Sequence, residues 1–414
     1  MSPSPVAVAA LAAIALCALI LPLGLVALAA VALFAAIAVD AVSARRAPAI
    51  ARVAPEVLSR GVPAPLRASA EVPAGGAVTL LQAAPPGVDV EPREAAEALE
   101  ATVVAHRRGR HELPPVAARA TGPLKLARWD HASGGRAEIR VFPDLHAARR
   151  LALTVARGRF REQGATAHGP LGLGTEFELI RDYQPDDDIR QVNWRATARL
   201  GRPMSNQYRL EQDRDLMILV DAGRLSAATL RELTGRDVSV LDVELDVAAA
   251  VALVADELGD RCGAVAFDRE IRAALPPRRR GGAAVVRALY DLQPRPADSD
   301  YELAFRRAQT GKRALVIVLC DLIEEAAARP LADAVPVLAR RHAVLVAAPK
   351  DPALEQLAAG DDERATIARD VLSARAGAAA RVRAAGAQVL EAAPDKLAAA
   401  CVAAYLRAKA RAAL

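Results

Sequence analysis

The chain has 414 residues, enough for two or three domains, and 53 % of them are hydrophobic. Its 54 Lys and Arg nearly balance 49 Asp and Glu, a formal charge of +5, which argues against the concentrated basic face that nucleic-acid binding needs. Cys17, Cys262, Cys320 and Cys401 are scattered without a C-x-x-C pair, which excludes a sequence-local zinc or redox motif and suits a reducing compartment.

Residues 6–39 carry no charged side chain. As one helix this run would reach about 50 Å, well beyond the hydrocarbon core of a bilayer. Pro22, Leu23 and Gly24 interrupt it, and the lost backbone donor and relaxed glycine favour a turn. We read residues 1–44 as a transmembrane hairpin, with helices over roughly 6–21 and 25–39. One long tilted helix is the alternative. A cleaved signal peptide is disfavoured because no positive charge precedes the run. Arg45, Arg46, Arg52 and Arg60 follow it, so the positive-inside rule keeps the bulk of the chain in the cytoplasm, at the inner membrane.

Residues 45–146 read as a small β-rich, sandwich-like domain. Short alternating runs such as RASAEV, AVTLLQ, ATVVAH and AEIRVF are separated by Pro and Gly. His106 and His111 fall in this strand-like sequence and make a poor zinc pair.

Residues 147–208 read as a linker followed by a dense charged segment. The stretch GTEFELIRDYQPDDDIRQVNWRATARLGRPMSNQY, residues 174–208, gathers Arg181, Asp182, Tyr183, Asp186, Asp187, Asp188, Arg190, Trp194, Arg195 and Arg199. Charges this dense are costly to order unless they pair with each other or with a partner. The three consecutive Asp, beside Arg181 and Arg190, read as an ion-paired loop rather than as catalytic carboxylates. Trp194 either anchors the loop in a groove or meets a partner.

From residue 209 to 414 the pattern is α/β. Apolar runs LMILVD, GAVAFD, ALVIVLCD, AVLVAAP and AQVLEAAP alternate with Ala-rich helical stretches, as in a parallel sheet covered by helices. The clearest helix is LDVELDVAAAVALVADELGDR, where Leu245, Ala249, Ala252 and Leu253 share a face and Gly259 suits the stop. The basic run Arg278–Arg280 before two glycines reads as a solvated loop. Asp221, Asp268 and Asp321 end three of the strands, where ligands bind in open α/β sheets. Asp221 and Asp321 are the weak metal candidates. No P-loop and no nucleophile elbow is present: the glycines at 169, 172 and 174 lack a following Lys-Ser/Thr.

The charged stretch closely resembles the signature of the domain-of-unknown-function 58 family. Glu176-Phe177, Arg181-Asp182-Tyr183, Pro185, Asp187, Arg190, Asn193-Trp194-Arg195-Ala196, Ala198-Arg199 and Glu211 fall in its order. Asp186 departs from it, standing where the family often has Gly. The run RRGRHELPPVAARATGPLKLARW with the later VFPDL is similar to the segment preceding the signature in that family. The resemblance implies a β-sandwich-like region, a von Willebrand factor A-like domain, and work beside a MoxR-type AAA+ ATPase. Against the D-x-S-x-S metal pattern of such domains, the chain reads Asp221-Ala222-Gly223-Arg224-Leu225. Both serines are lost and Arg224 adds a positive charge, so Mg²⁺ is not expected; Asp221 is expected to cap backbone amides or to pair with Arg224.

The expectation is therefore a membrane-anchored scaffold or adaptor with no catalytic activity or cofactor, partnered by the ATPase and by membrane or secreted clients, and not by nucleic acid. Arg181, Asp182, Tyr183, Asp187, Arg190, Trp194 and Arg199 form its expected partner-binding surface, or else a rigid brace. The rival is a metal-dependent binding module of von Willebrand A type.

Overall fold

Ser4 starts the first helix for a local reason. Its side chain accepts the Ala7 amide at 3.1 Å, and Pro5 occupies the first turn, where a missing N–H costs nothing. The computed structural model describes residues 2–72, 75–133, 135–157, 176–184, 187, 189–209, 214–231, 237–323 and 325–410. They divide into two compact units, 1–142 and 143–414.

In the first unit, helix α1 spans Pro5–Cys17 and α2 spans Leu23–Ala44. The sequence reading carries the first helix to 21, but the chain turns before Pro22, whose ring disfavours helical geometry in the residue before it. It also ends the second helix at 39, whereas α2 continues through Asp40. Among the described residues, α2 is the one helix long and apolar enough to cross a membrane, by length and composition.

Strands follow as β1 (Ile50–Val53), β2 (Val57–Ser59), β3 (Ala64–Ala70), β4 (Ala77–Leu81), β5 (Val88–Glu91), β6 (Glu94–Ala96), β7 (Ala98–Ala105), β8 (Gly109–Leu113), β9 (Val116–Thr121), β10 (Ala127–Ser133) and β11 (Ala137–Phe142). The described strands make three sheets. One is β1-β3-β7-β5, one is β2-β11-β8, and one is β10-β9-β4-β6 with Ser2–Pro3 added at the β10 edge. Alternation sets what is buried. In β7, Leu99, Ala101, Val103 and Ala105 turn inward and join Leu66, Leu80, Val90 and Ile139 in one core.

The second unit opens with α3 (Leu145–Ala156), where the sequence reading expects the start of a linker. Ala148, Ala152 and Val155 recur at helical spacing and are buried, and α3 packs on α5. The remaining elements are β12 (Glu176–Asp182), α4 (Trp194–Leu200), β13 (Met204–Arg209), β14 (Asp215–Asp221), α5 (Val240–Glu257), β15 (Arg261–Phe267), β16 (Ile271–Arg279), α6 (Gly282–Leu289), α7 (Tyr301–Arg307), β17 (Ala314–Leu319), α8 (Glu325–Ala339), β18 (Ala343–Pro349), α9 (Pro352–Ala358), α10 (Glu363–Ala384), β19 (Gln388–Ala392) and α11 (Pro394–Ala410), with a short hairpin before α5.

Among the described residues the main sheet has six strands, in the order β16-β15-β14-β17-β18-β19. All neighbours are parallel except the edge strand β16. The five apolar runs supply the parallel strands. The edge strand was not anticipated, because Pro276, Pro277 and the Arg run argue for a loop. An edge tolerates Pro and charge, and Arg278 and Arg279 pair with Cys262 and Arg261.

The central strand is buried on both faces. Leu216, Ile218 and Val220 meet one layer, with Leu241, Val251 and Tyr405; Met217 and Leu219 meet the other, with Phe305, Leu331 and Val382. Strands covered on both sides read as unbroken apolar runs, as these do. Cys262, Cys320 and Cys401 are buried, and Cys17 is exposed.

Candidate functional site

The charged segment folds as an antiparallel pair, β12 with β13, with Arg181 opposite Ser205 and Asp182 opposite Met204. The chain between them is fastened by its own polar groups. Arg181 donates through Nη1 to Asp187 Oδ2 at 2.8 Å and through Nη2 to Oδ1 at 2.5 Å. Such a fork is the strong form of a charge-assisted bond. The Gln184 amide adds a third donor at 2.9 Å, and Tyr183 donates its hydroxyl to the Asp187 carbonyl at 3.3 Å. The Arg181 bond, ahead of the Gln184 amide, holds the Asp187 carboxyl below the ordinary carboxylate range despite opposition from burial. Asn193 then caps α4, accepting from the Ala196 amide at 2.9 Å while donating to Asn206 at 2.7 Å. Thr197 accepts the Met204 amide at 2.9 Å, and Gly201 ends the helix at φ +67°, a conformation that favours glycine.

This frame turns α4 outward, and none of its residues is buried. Trp194 is 70 % exposed, so it does not anchor the loop in a groove. Arg195 and Arg199 are exposed beside it, as are Ile189 and Leu200. Asp182 meets Arg202 at the surface, 3.2 Å away. The expected site residues thus separate by role. Arg181, Tyr183 and Asp187 lie within the fastening network, whereas Trp194 and Arg199 face solvent. Arg190 falls in the turn Ile189–Gln191, but its side chain lies outside the described residues. So do Pro185, Asp186, Asp188 and Glu211, and the glycines at 169, 172 and 174.

A second constellation lies at the carboxyl ends of the central strands. Asp221 is buried and accepts from the Gly223 amide at 2.8 Å, from Ser299 Oγ, and from Tyr301 Oη at 2.6 Å. Tyr301 is held edge-on between Phe267 and Phe305. Burial pushes the Asp221 carboxyl above its ordinary range and the Tyr301 phenol well above its own. A cleft of about 290 Å³ opens here, lined by Asp221, Arg224, Leu225, Ser299, Tyr301 and Pro330 among others.

Sequence reasoning anticipated the amide cap but not these partners. Arg224 pairs with Asp298, at 2.5 Å, rather than with Asp221. Ser299 and Tyr301 stand 78 and 80 residues downstream, so local spacing carried no signal of them. Gly223 is needed for this packing: a Cβ there would lie 2.1 Å from Ser299 Oγ and 2.8 Å from the Ala297 carbonyl.

The donor set does not fit a hard divalent cation, which takes six or more oxygen ligands. Both Asp221 oxygens are engaged from within the protein. Asp321 faces Arg375 Nη2 at 2.8 Å; this is an ion pair by distance, while Arg375 directs a hydrogen bond to the Pro349 carbonyl at 2.7 Å. Burial raises the Asp321 carboxyl, and Arg375 opposes that rise. Asp268 is tied to Arg272 at 2.8 Å. Among the described residues, no group of three or more His, Cys, Asp or Glu is arranged to hold a metal ion. His106 pairs with Asp89 and His111 with the Arg107 carbonyl.

Curated relatives include uncharacterized proteins of Mycobacterium bovis and Mycobacterium tuberculosis, each 26 % identical over 188 residues. The match covers 44 % of this chain and 56 % of theirs, so the chain spans little more than half the length of these relatives. A solved structure, an uncharacterized membrane spanning protein from Vibrio fischeri, is 13 % identical with a TM-score of 0.17, covering 48 % of this chain and 98 % of its own. The family model described as "Protein of unknown function DUF58" matches residues 179–386, half of the chain, from the charged segment through the carboxyl-end cleft to the end of α10, and the chain belongs to that family.

Proposed function

We propose that this protein is a membrane-anchored scaffold or adaptor, its bulk cytoplasmic, that works with a MoxR-type AAA+ ATPase and has no catalytic activity of its own. In this reading α1 and α2 form the membrane hairpin at the inner membrane, and the second unit is a von Willebrand factor A-like domain. The strand order, with an antiparallel third strand at the edge, supports the latter.

The observation that carries the proposal is the exposed face of α4. A Trp and two Arg stand free on a helix whose flanks are fastened by Arg181–Asp187 and Asn193–Asn206. Trp and Arg are the residue types that dominate binding hot spots, and a rigid base lowers the ordering cost of using them.

The test uses Trp194→Ala and an Arg195→Glu/Arg199→Glu pair in the full chain. Melting should stay near wild type, since exposed side chains contribute less than about 0.5 kcal/mol. Co-purification of the ATPase should fall at least tenfold. Normal capture by both variants would refute the assignment of this face.

The rival, a metal-dependent adhesion-type module, has one observation in its favour: the hydroxyl that Ser299 brings to Asp221. A Mg²⁺-dependent rise in melting temperature that Asp221→Asn abolishes would favour it over the adaptor. We expect no such rise.

A further inference from the structure

We propose that the β9–β10 turn, residues 122–127, is a foot seated in the headgroup layer of an anionic membrane. This rests on the reading of α2 as a membrane helix. Asp40 sets the depth. It lies about 26 Å along the helix from Leu23, close to the ~30 Å at which hydrocarbon gives way to headgroups. Val39 and Val42 are exposed on either side of it. A carboxylate at that level is expensive unless it is bonded.

Here it is fully buried and accepts three backbone amides: Leu124 and Leu126 at 2.7 Å each, and Ala127 at 2.8 Å. The turn that supplies these amides to Asp40 must therefore stand at the depth of Asp40. Gly122 permits the approach, because a Cβ there would lie 2.2 Å from Asp40 Oδ1. Residues 2–4 fasten to the same turn. The Ser4 amide donates to the Leu126 carbonyl at 2.9 Å, Ser4 Oγ donates to the Lys125 carbonyl at 2.5 Å, and Ser2–Pro3 pairs with β10.

The turn's composition fits that level. Pro123 and Leu124 are exposed at its tip, Leu124 by 53 %, and Lys125 is exposed next to them. Arg45 and Arg46 are exposed where α2 ends. The Arg45 guanidinium lies 5.7 Å from the ring of the half-buried Trp129. His131 Nε2 meets the Ala44 carbonyl at 2.9 Å, closing the helix end. An apolar tip, a Trp and a cluster of cations are the chemistry of a membrane interface, and the cations select anionic phosphate headgroups over zwitterionic ones.

The experiment places an environment-sensitive thiol probe at Leu124→Cys in the full chain carrying Cys17→Ser, reconstituted into vesicles. Glu100→Cys, on the exposed face of β7, is the control. In phosphatidylcholine–phosphatidylglycerol vesicles the probe at 124 should emit blue-shifted from the control and be quenched by headgroup-level quencher lipids. The triple variant Arg45→Glu/Arg46→Glu/Lys125→Glu should lose most of that quenching. A probe at 124 as wet as the control overturns the foot. Quenching that is equal in pure phosphatidylcholine and untouched by the triple variant overturns its preference for anionic lipid. Flotation in alkaline carbonate separates the two readings. Chain that floats with a wet probe keeps the anchor and loses the foot, and chain that does not float loses both.

Discussion

Two carboxylates with opposite shifts decide what single residues do here. Asp187 is held below its ordinary range, mainly by Arg181. Its contribution to stability is therefore present above the unfolded value near 3.9 and is lost as pH falls through the lower folded value. Arg181 is about one-third exposed, so solvent screening discounts the pair. We expect Asp187→Asn to cost about 1–2 kcal/mol at neutral pH, with a gap from wild type that narrows as pH falls below the unfolded value of about 3.9. Urea unfolding across pH measures it, and an unchanged midpoint at pH 7 would remove Asp187 from the fastening network. Asp221 runs the other way. Burial raises it, so the stability it lends is fullest below the unfolded value and declines as pH rises through the folded one. Asp221→Asn, which keeps one acceptor oxygen, should cost less than removal of the whole group. Asp221→Ala, which strands the buried Tyr301 hydroxyl, should cost about 1–3 kcal/mol. Equal losses in the two variants would mean that the negative charge itself is needed. The pairing of Arg181 with nearby acid was legible because both lie within seven residues. The Ser299–Asp221–Tyr301 group was not, because only the topology of the sheet brings the loop before α7 to the end of β14.

Among elements, legibility followed burial. The apolar runs at 216–221, 263–268, 314–321 and 343–349 mark the parallel strands to within a few residues, since both faces of each strand are covered and nothing polar interrupts the run. In the first unit, AVTLLQ and AEIRVF likewise fall on β4 and β11. The strands β8 and β10, GRHEL and ARWDHAS, lie inside the expected β-rich domain but were not among the runs singled out there, because polar and charged residues shorten their apolar alternation. The α3 helix escaped because five Arg at 149–161 read as a linker, although Ala148, Ala152 and Val155 carry the helical spacing. The last helix, α11, carries a feature that no pattern announced. Lys409 Nζ lies 2.5 Å from Asp260 Oδ2, both side chains are almost fully buried, and Tyr405 donates to the same carboxylate. Asp260 also accepts the Arg214 amide at 3.1 Å, so this group ties α11 to the chain entering β14 and β15. Removing one partner of a buried pair strands the other charge. Lys409→Met should therefore destabilise the second unit by about 3–5 kcal/mol, and Asp260→Asn together with Lys409→Met should recover part of that. If the single and double variants unfold at the same denaturant concentration, the pair is not coupled.

At the scale of the molecule, the question is on which side of a membrane the chain lies, and the first unit constrains the answer. Ser4 at the start of α1 and Asp40 near the end of α2 bond to the same turn, residues 122–127. If both helices enter a bilayer, as proposed, outer ends that share one protein anchor must leave from, and return to, one of its faces. A single tilted span would separate these ends by the full hydrocarbon thickness and break either the two hydrogen bonds of Ser4 or the three of Asp40 to the turn. In that proposed hairpin the short α1 would need Ala18–Leu21, all exposed, to help fill the far leaflet, and a thinned bilayer around it is a modest cost. In the proposed reading, the charge that follows α2, at Arg45, Arg46, Arg52 and Arg60, favours the cytoplasm for the shared face. Reporter fusions at residues 1 and 414 should therefore both report cytoplasmic, and Asp40→Leu, which removes the carboxylate while keeping the helix apolar, should leave that topology intact but release the turn to protease. A periplasmic signal from the fusion at residue 1 alone would mean a single span, and would require the bonds of Ser4 or those of Asp40 to be absent in the membrane.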